Sequence, residues 1–339
     1  MTPPAVRDID PLRLLREHPD ECALRTVTTG QRLTGVALLA ALALCLWRWP
    51  LPALLWLNAA AIVFYVAHSL YKFWLIWTSL ERPVALNFTP EQLAALSDRD
   101  LPTYTILVPL YREALVLPRL VEYLGRLDYP ADKLDIQLLM EEDDTVTQDA
   151  CRALDLPPQF HPVVVPDSQP KTKPKACNYG LYACQSELLV IYDAEDRPEP
   201  DQLRKAVAAF RQLPERVACL QAKLNFYNQR HNLLTRWFTS EYSVWFDLFL
   251  PGLTACRWPI PLGGTSNHFK VPVLQELGGW DAFNVTEDCD LGIRLHKQGY
   301  LTAMIDSTTW EEANGNFLSW FRQRSRWVMG ASGARLILA

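Results

Sequence analysis

The chain has 339 residues, of which 49% are hydrophobic and 21% are charged, so it is long enough for one large folded domain with accessory segments and is not a disordered protein. Its formal net charge of -5 and its scattered lysines and arginines give no general attraction to a phosphate backbone, which argues against nucleic acid as a partner. The eight cysteines include no C-x-x-C pair, so they indicate neither a zinc site nor a disulfide framework and fit reduced thiols in a cytoplasmic domain.

Two apolar stretches near the amino terminus predict a transmembrane hairpin. An uncharged run from Leu33 to Trp47 is followed by Arg48 and a proline turn, and a second apolar stretch runs from Ala53 to about Trp77. A membrane span needs about 20 apolar residues, so the second stretch is long enough and the first is short unless its flanks contribute. The alternative is a buried helical hairpin of a soluble protein, which two adjacent runs of this length do not favour.

The basic residues around these stretches predict their orientation. Arg25, Arg32, Lys72 and Arg82 lie on one side of the hairpin, and Arg48 is alone at the turn. Because cytoplasmic flanks carry the excess of lysine and arginine, we expect an integral protein of the bacterial inner membrane whose catalytic part is cytoplasmic. The predicted divisions are a cytoplasmic segment at 1–30, two membrane helices at 31–80 and a linker at 81–100.

From residue 101 onward the pattern alternates between strands and helices. This alternation predicts an α/β, Rossmann-like domain with a mostly parallel sheet, whose ligands bind at the carboxyl ends of the strands. Strands are predicted at Thr103 to Val108, Ile136 to Met140, Val163 to Val165 and Leu188 to Tyr192. Helices are predicted at Ala114 to Arg126, Lys175 to Gln185 and Asp201 to Leu213.

Three of these strands end in polar residues, which we expect to meet in one cleft. The first strand leads into Tyr111 and Glu113, the second into Asp143 and Asp144, and the fourth into the run 193–196. Two carboxylates in alternate positions of that run, Asp193 and Glu195, can ligate one Mg²⁺ or Mn²⁺ bound to a diphosphate. The alternative is a turn with helix-capping acids before Pro198 and Pro200, and the local pattern alone does not separate the two.

Two further motifs have a structural and a functional interpretation. Asp288 precedes a helical stretch, where an acid is stabilised by the helix dipole or acts as a general base toward an attacking hydroxyl. Gln323, Arg326 and Trp327 follow an aromatic run and offer a cation for a diphosphate and a flat ring for a sugar. The alternative for this second motif is a basic amphipathic helix on a membrane surface.

These segments, in this order, resemble the family 2 glycosyltransferases of the processive membrane branch, which includes cellulose, hyaluronan, chitin and mannan synthases. The resemblance covers about residues 101–330 and implies a GT-A type domain that transfers a sugar with inversion from a UDP- or GDP-linked donor to a polysaccharide or glycolipid. It also implies that Leu233 to Leu250 is an interface helix beside membrane lipid, and that Mg²⁺ or Mn²⁺ is required.

The resemblance assigns roles to single residues. Asp193 and Glu195 correspond to the metal-binding Asp-x-Asp, with Glu in the second place, and Asp288 corresponds to the catalytic base. Arg326 would bind the diphosphate as the second catalytic group. The residues assigned to the donor are Tyr111, Glu113, Asp143, Asp144, Lys175 and Asp193. The residues assigned to the acceptor are Gly264, Thr265, Gln323 and Trp327.

The resemblance leaves the product open. Glucose is the first expectation for the donor sugar and mannose the second. Membrane helices follow the Q-x-x-R-W segment in this family, so residues 331–339 are expected to begin such a segment in a truncated chain that would need partner subunits for export. The alternatives are a non-processive transferase acting on a lipid carrier and a catalytically silent receptor or scaffold with the same fold.

Overall fold

The computed structural model of the chain describes residues 9–24 and 27–333. Arg25, used above to orient the hairpin, and most of the expected start of a membrane segment at 331–339 lie outside this part of the chain. Before the catalytic domain come a short helix, α1 (Arg13–Glu17), and two long helices, α2 (Thr29–Arg48) and α3 (Pro50–Glu81).

Both long helices are apolar enough to cross a membrane, and none of their most apolar stretches is buried against protein. The absence of burial argues against the core hairpin of a soluble protein. At 1.5 Å per residue the 32 residues of α3 extend about 48 Å, which exceeds the roughly 30 Å hydrocarbon core of a bilayer. The excess lies at its carboxyl end, where Leu75 is fully buried and α3 packs on the catalytic domain.

The catalytic domain contains an eight-stranded mixed sheet within the described residues, in the order β3-β2-β1-β4-β7-β6-β8-β5. Strands β1 to β4 are parallel to one another, whereas β7 is antiparallel to both β4 and β6. The predicted mostly parallel α/β sheet is therefore confirmed. The strands are β1 (Tyr104–Leu110), β2 (Leu134–Glu141), β3 (Phe160–Val165), β4 (Leu188–Ile191), β5 (Arg197–Pro198), β6 (Val217–Phe226), β7 (Asn267–Lys270) and β8 (Leu301–Glu311).

Helices cover the sheet and close two large apolar clusters, one on each face. The carboxyl ends of β1, β2 and β4 meet at the same edge, and the turn before β7 begins there. The helices are α4 (Pro90–Ala94), α5 (Leu117–Leu124), α6 (Thr145–Arg152), α7 (Lys173–Ala183), α8 (Gln202–Gln212), α9 (Leu233–Ser243), α10 (Leu250–Ala255), α11 (Val271–Glu276), α12 (Glu287–Lys297) and α13 (Phe317–Gly333).

A π-helical turn, Val244–Phe249, joins α9 to α10, so the segment predicted as an interface helix is one continuous helical run. This run lies against the carboxyl-terminal part of α3. The ring of Tyr71 stacks on Trp258 with a centroid separation of 5.8 Å, and Trp74 lies 5.5 Å from the same ring. An aromatic contact thus joins the second membrane helix to the domain.

Candidate active site

Two adjoining recesses lie at the carboxyl ends of β1 and β2. The outer recess, of about 410 Å³, is lined by Tyr111, Arg112, Asp143 and Asp144, among others. The inner recess, of about 240 Å³, extends past Tyr111 to Lys173 and Asp193 and is lined by Pro109, Leu110, Tyr111, Glu113, Glu141, Lys171, Thr172, Lys173, Ala176 and Asp193. The structure therefore brings the predicted donor-binding residues of β1, β2 and β4 together along one groove.

The backbone of the outer recess is held in an uncommon conformation. Arg112 has a φ of 60°, which is unusual for a residue with a side chain, and its N–H donates to Asp144 Oδ2 at 2.5 Å. Asp144 also caps α6 by accepting from the N–H of Thr147 at 3.2 Å. Burial opposes ionisation of Asp144, but these two N–H donors outweigh it and lower its pKa. Asp144 therefore shapes the turn that presents Tyr111.

Lys175, the lysine that the resemblance assigns to the donor, is fully buried. Its Nζ lies 2.7 Å from Glu141 Oε2, and this ion pair links α7 to the end of β2. Its donor-binding role stays a prediction. The lysine that enters the cleft is Lys173, one half-turn earlier at the start of α7.

Lys173 connects two parts of the cleft. Its Nζ lies 2.6 Å from Asp193 Oδ1 and donates to the Gly264 carbonyl oxygen at 2.6 Å. A Cβ on Gly264 would lie 3.8 Å from Asp288 Oδ2, so this turn also adjoins the predicted base. Four segments thus converge here: the end of β4, the start of α7, the turn before β7 and the start of α12.

Asp196 lies beneath this convergence and is fully buried. Its Oδ2 accepts from the N–H of Asp193 at 2.7 Å and contacts the hydroxyl of Thr265, while Oδ1 has no hydrogen-bond partner. Thr265, predicted to bind the acceptor, is itself fully buried, and its hydroxyl donates to the Ile191 carbonyl at 2.9 Å. Within this arrangement the Thr265 side chain supports the turn, and the backbone of Gly264 faces the cleft.

The carboxylates around Asp193 repel one another. Burial and the negative charge of Asp193 raise the pKa of both Glu113 and Glu195. Burial, Asp196 and Asp193 also raise the pKa of Glu311, at the end of β8, well above its usual range. A group of acids that resists full ionisation is an environment that a bound cation would relieve.

This chemistry fits a divalent cation, although the part of the chain that the structure describes offers no cluster of three or more metal-ligating side chains. Asp193 and Glu195 supply carboxylate oxygens, the ligands that Mg²⁺ and Mn²⁺ prefer, and further oxygens would come from a donor diphosphate. Asp193 and Glu195 therefore fit a divalent cation that would take its remaining ligands from a bound donor diphosphate.

Asp288 begins α12 and is buried, with 7% of its surface exposed. Burial raises its pKa to about 7, against the opposing attraction of Lys173. Its neighbour Glu287 is buried as well, and burial together with the Asp288 charge raises its pKa well above the usual range. A carboxyl group with a pKa near 7 is matched to proton transfer at neutral pH.

The Q-x-x-R-W residues lie on α13, which packs on α9. Gln323 accepts from the Asn314 amide at 2.9 Å, and the Trp327 ring lies 6.1 Å from that of Phe238. Arg326 is exposed. The arginine held among aromatic rings is Arg324, which also pairs with Glu241. The roles of Gln323, Arg326 and Trp327 toward the substrates stay predictions.

Sequence reasoning missed three charged residues at this site: Lys173, Asp196 and Glu311. The run Lys-Thr-Lys-Pro-Lys at 171–175 signalled a basic entry to α7, but it did not indicate which lysine faces the cleft. Asp196 is the third acid of the run 193–196, and Glu311 belongs to an acidic pair near the start of α13.

Comparison with known proteins supports the resemblance seen in the sequence. Residues 188–338 match the family model described as Glycosyl transferase family group 2. The carboxyl end of β4, β7, Asp288 and the Q-x-x-R-W helix all lie within this match. The predicted class of enzyme, a glycosyltransferase, is confirmed.

Relatives of this glycosyltransferase domain include two curated proteins. The probable glycosyltransferase YdaM of Bacillus subtilis is 27% identical over 239 residues, covering 68% of this chain and 56% of that protein. The probable glucomannan 4-beta-mannosyltransferase 15 of Arabidopsis thaliana is 25% identical over 248 residues, covering 69% of this chain and 45% of that protein. The chain thus spans about half the length of the curated relatives it matches.

The fold of the glycosyltransferase domain is that of a solved structure. The mannosyltransferase PcManGT from Pyrobaculum calidifontis, in complex with GDP-Man and Mn²⁺, superposes with a TM-score of 0.61 at 21% identity. The match covers 81% of this chain and 73% of that chain. The expected GT-A type fold is confirmed.

Proposed function

We propose that this chain transfers a hexose from a nucleoside diphosphate donor to a hydroxyl group of a glycan, at the cytoplasmic face of the membrane that α2 and α3 span. The observation that carries the proposal is the position of Asp288. It is a buried carboxyl group with a pKa of about 7, and it adjoins the turn whose Gly264 carbonyl contacts Lys173. Asp288, Lys173 and Asp193 therefore lie around the same turn.

The proposed reaction is a direct displacement with inversion. Asp288 takes the proton from the acceptor hydroxyl, whose oxygen bonds to the anomeric carbon as the bond to the diphosphate breaks, and a β-linkage results. Lys173 and Arg326 stabilise the negative charge that develops on the leaving nucleoside diphosphate. A divalent cation held by Asp193 and Glu195 would supply further charge stabilisation to that leaving group.

The glucomannan mannosyltransferases among the relatives favour mannose over glucose as the donor sugar. The outer recess beside Tyr111 is proposed to hold the nucleoside, since aromatic and carboxylate groups line it. Processive transfer is proposed from the Q-x-x-R-W residues. A distribution of product lengths that extends beyond one added sugar would support it, and single additions would indicate a lipid-carrier transferase.

The test measures nucleotide release from GDP-mannose, UDP-glucose and UDP-N-acetylglucosamine by membranes containing the full chain, with Mg²⁺ or Mn²⁺. Release from one donor, reduced about 10²- to 10⁴-fold in Asp288→Asn, is the expected result. If folded protein releases nucleotide from none of the donors, the transferase proposal is overturned in favour of a silent receptor or scaffold.

A further inference from the structure

Lys173 occupies the carboxylate that the proposed cation needs. Its Nζ lies 2.6 Å from Asp193 Oδ1, a normal distance for an ammonium that pairs directly with a carboxylate. The ordinary pKa of a lysine side chain is about 10.4. The side chain is therefore a permanent cation at neutral pH.

An ammonium and a divalent cation do not share one carboxylate oxygen at these distances. Mg²⁺ binds carboxylate oxygens at about 2.1 Å, so a metal on Asp193 Oδ1 would lie within the contact distance of Nζ and repel it. A cation on Asp193 Oδ1 thus requires Lys173 to move, and a cation on Oδ2 would lie close enough to the ammonium to be repelled by it.

The cleft gives Lys173 a place to go. The side chain is 27% exposed, lines the inner recess and retains a second partner in the Gly264 carbonyl. Lys175 has no comparable freedom, because it is fully buried against Glu141. A lysine side chain has four rotatable bonds, so a small change in its torsion angles redirects the ammonium toward an anion in the recess.

Resting on the proposed function, we propose that Lys173 and the divalent cation compete for Asp193, and that cation binding transfers the Lys173 ammonium from Asp193 to the donor diphosphate. Lys173 is then a donor-binding residue that also keeps Asp193 neutralised until the cation arrives with the nucleotide. This competition couples binding of the metal to binding of the donor, because the displaced ammonium forms its most favourable ion pair when a diphosphate lies beside it.

The test compares Lys173→Met with wild type in detergent-solubilised full chain. Without nucleotide, Mn²⁺ affinity measured by electron paramagnetic resonance is expected to increase about three- to tenfold, because the competing cation is gone. Affinity for GDP and UDP with Mg²⁺, measured by calorimetry, is expected to fall about tenfold or more. The two changes have opposite signs, which a lysine that only supports the fold would not produce.

Three variants control the experiment. Lys205→Met removes a lysine that pairs with Glu199 and Asp201 away from the cleft, and it should change neither affinity. Asp193→Asn added to Lys173→Met should abolish the gain in Mn²⁺ affinity. Lys173→Arg keeps the competing charge, so it should bind Mn²⁺ as weakly as wild type does. It provides a second test if Lys173→Met is poorly folded.

Unchanged or reduced Mn²⁺ affinity in folded Lys173→Met overturns the proposed competition. So does Mn²⁺ affinity in Lys173→Arg that is as high as in Lys173→Met. Failure of the proposed function looks different. In that case wild type releases nucleotide from no donor, while the effect of Lys173→Met on binding of Mn²⁺ alone is still measured.

Discussion

Asp288 is a carboxyl group whose surroundings oppose its ionisation, and this property predicts how activity depends on pH. Its pKa is about 7, and only the ionised form accepts a proton from the acceptor. Activity should therefore fall as the pH decreases through about 7 and reach a plateau above it. We would measure kcat/KM between pH 5 and pH 9. A flat profile over this range, with activity that still depends on Asp288, would contradict the assignment of this pKa to the base.

The same property predicts that Asp288→Asn stabilises the folded chain. A pKa raised from 3.8 to about 7 means that folding favours the neutral form, so stability is lost as the pH rises from about 4 to about 7 and the loss is constant above that. At pH 8 the ionised group destabilises the folded chain by on the order of 2–4 kcal/mol, and the neutral amide removes that cost. The thermal midpoint of Asp288→Asn should exceed that of wild type by more at pH 8 than at pH 5. An equal difference at both pH values would show that burial of this charge is unimportant.

At the residue scale, sequence located the cleft but not all of its groups. The acids Asp143 and Asp193 were predictable because the carboxyl ends of neighbouring parallel strands lie together. Which of Lys173 and Lys175 enters the cleft was not predictable. Residues two apart on a helix point about 200° apart around its axis, and the predicted helix began two residues late. The phase of α7 is set by the Lys175 to Glu141 ion pair, which joins residues distant in sequence.

At the element scale, the long apolar helix α3 meets the catalytic domain through a glycine. A Cβ on Gly252, in α10, would lie 2.4 Å from the Leu75 carbonyl oxygen of α3, so only glycine permits this approach. Gly252→Ala should destabilise the chain by about 1–3 kcal/mol, because backbone must move to admit the methyl group. Thermal unfolding in detergent is the measurement. Gly35→Ala, in α2 where nothing lies within 4 Å of the added Cβ, is the matched control. Equal midpoints for both variants would show that α3 is not held by this contact.

The elements that sequence missed are those with polar interiors. The four strands read from apolar runs are present, but β5, β6, β7 and β8 were not predicted. In β7, His268 is fully buried and bonds to the Tyr104 hydroxyl at 2.6 Å, and in β8, Thr309 is fully buried beside Gln202. These partners lie more than 100 residues away, so the local pattern could not indicate that such polar residues face inward.

At the scale of the whole molecule, both ends of the α2 and α3 pair lie beside the same domain. Before α2, the Ala23 N–H donates to Asp281 Oδ2 at 2.5 Å and the Pro11 carbonyl accepts from the Asn178 amide at 2.8 Å. After α3, the chain enters the catalytic domain directly. We propose that α2 and α3 cross the membrane out and back, which places the segment 9–24 and the domain on the same side.

This arrangement predicts which positions are accessible from outside the cell. A cysteine at Trp49, between α2 and α3, should react with a membrane-impermeant maleimide in intact cells, whereas a cysteine at Arg99, on the domain, should react only after permeabilisation. Unsubstituted protein measures the background from native thiols, because Cys22, Cys151 and Cys177 are buried but Cys256 and Cys289 are partly exposed. Labelling of both positions in intact cells, or of neither, would contradict a two-span chain with a cytoplasmic domain. It would also leave the length of α3 unexplained. At about 48 Å this helix is longer than a bilayer core, and the proposed topology places its last, buried turns on the side of the domain.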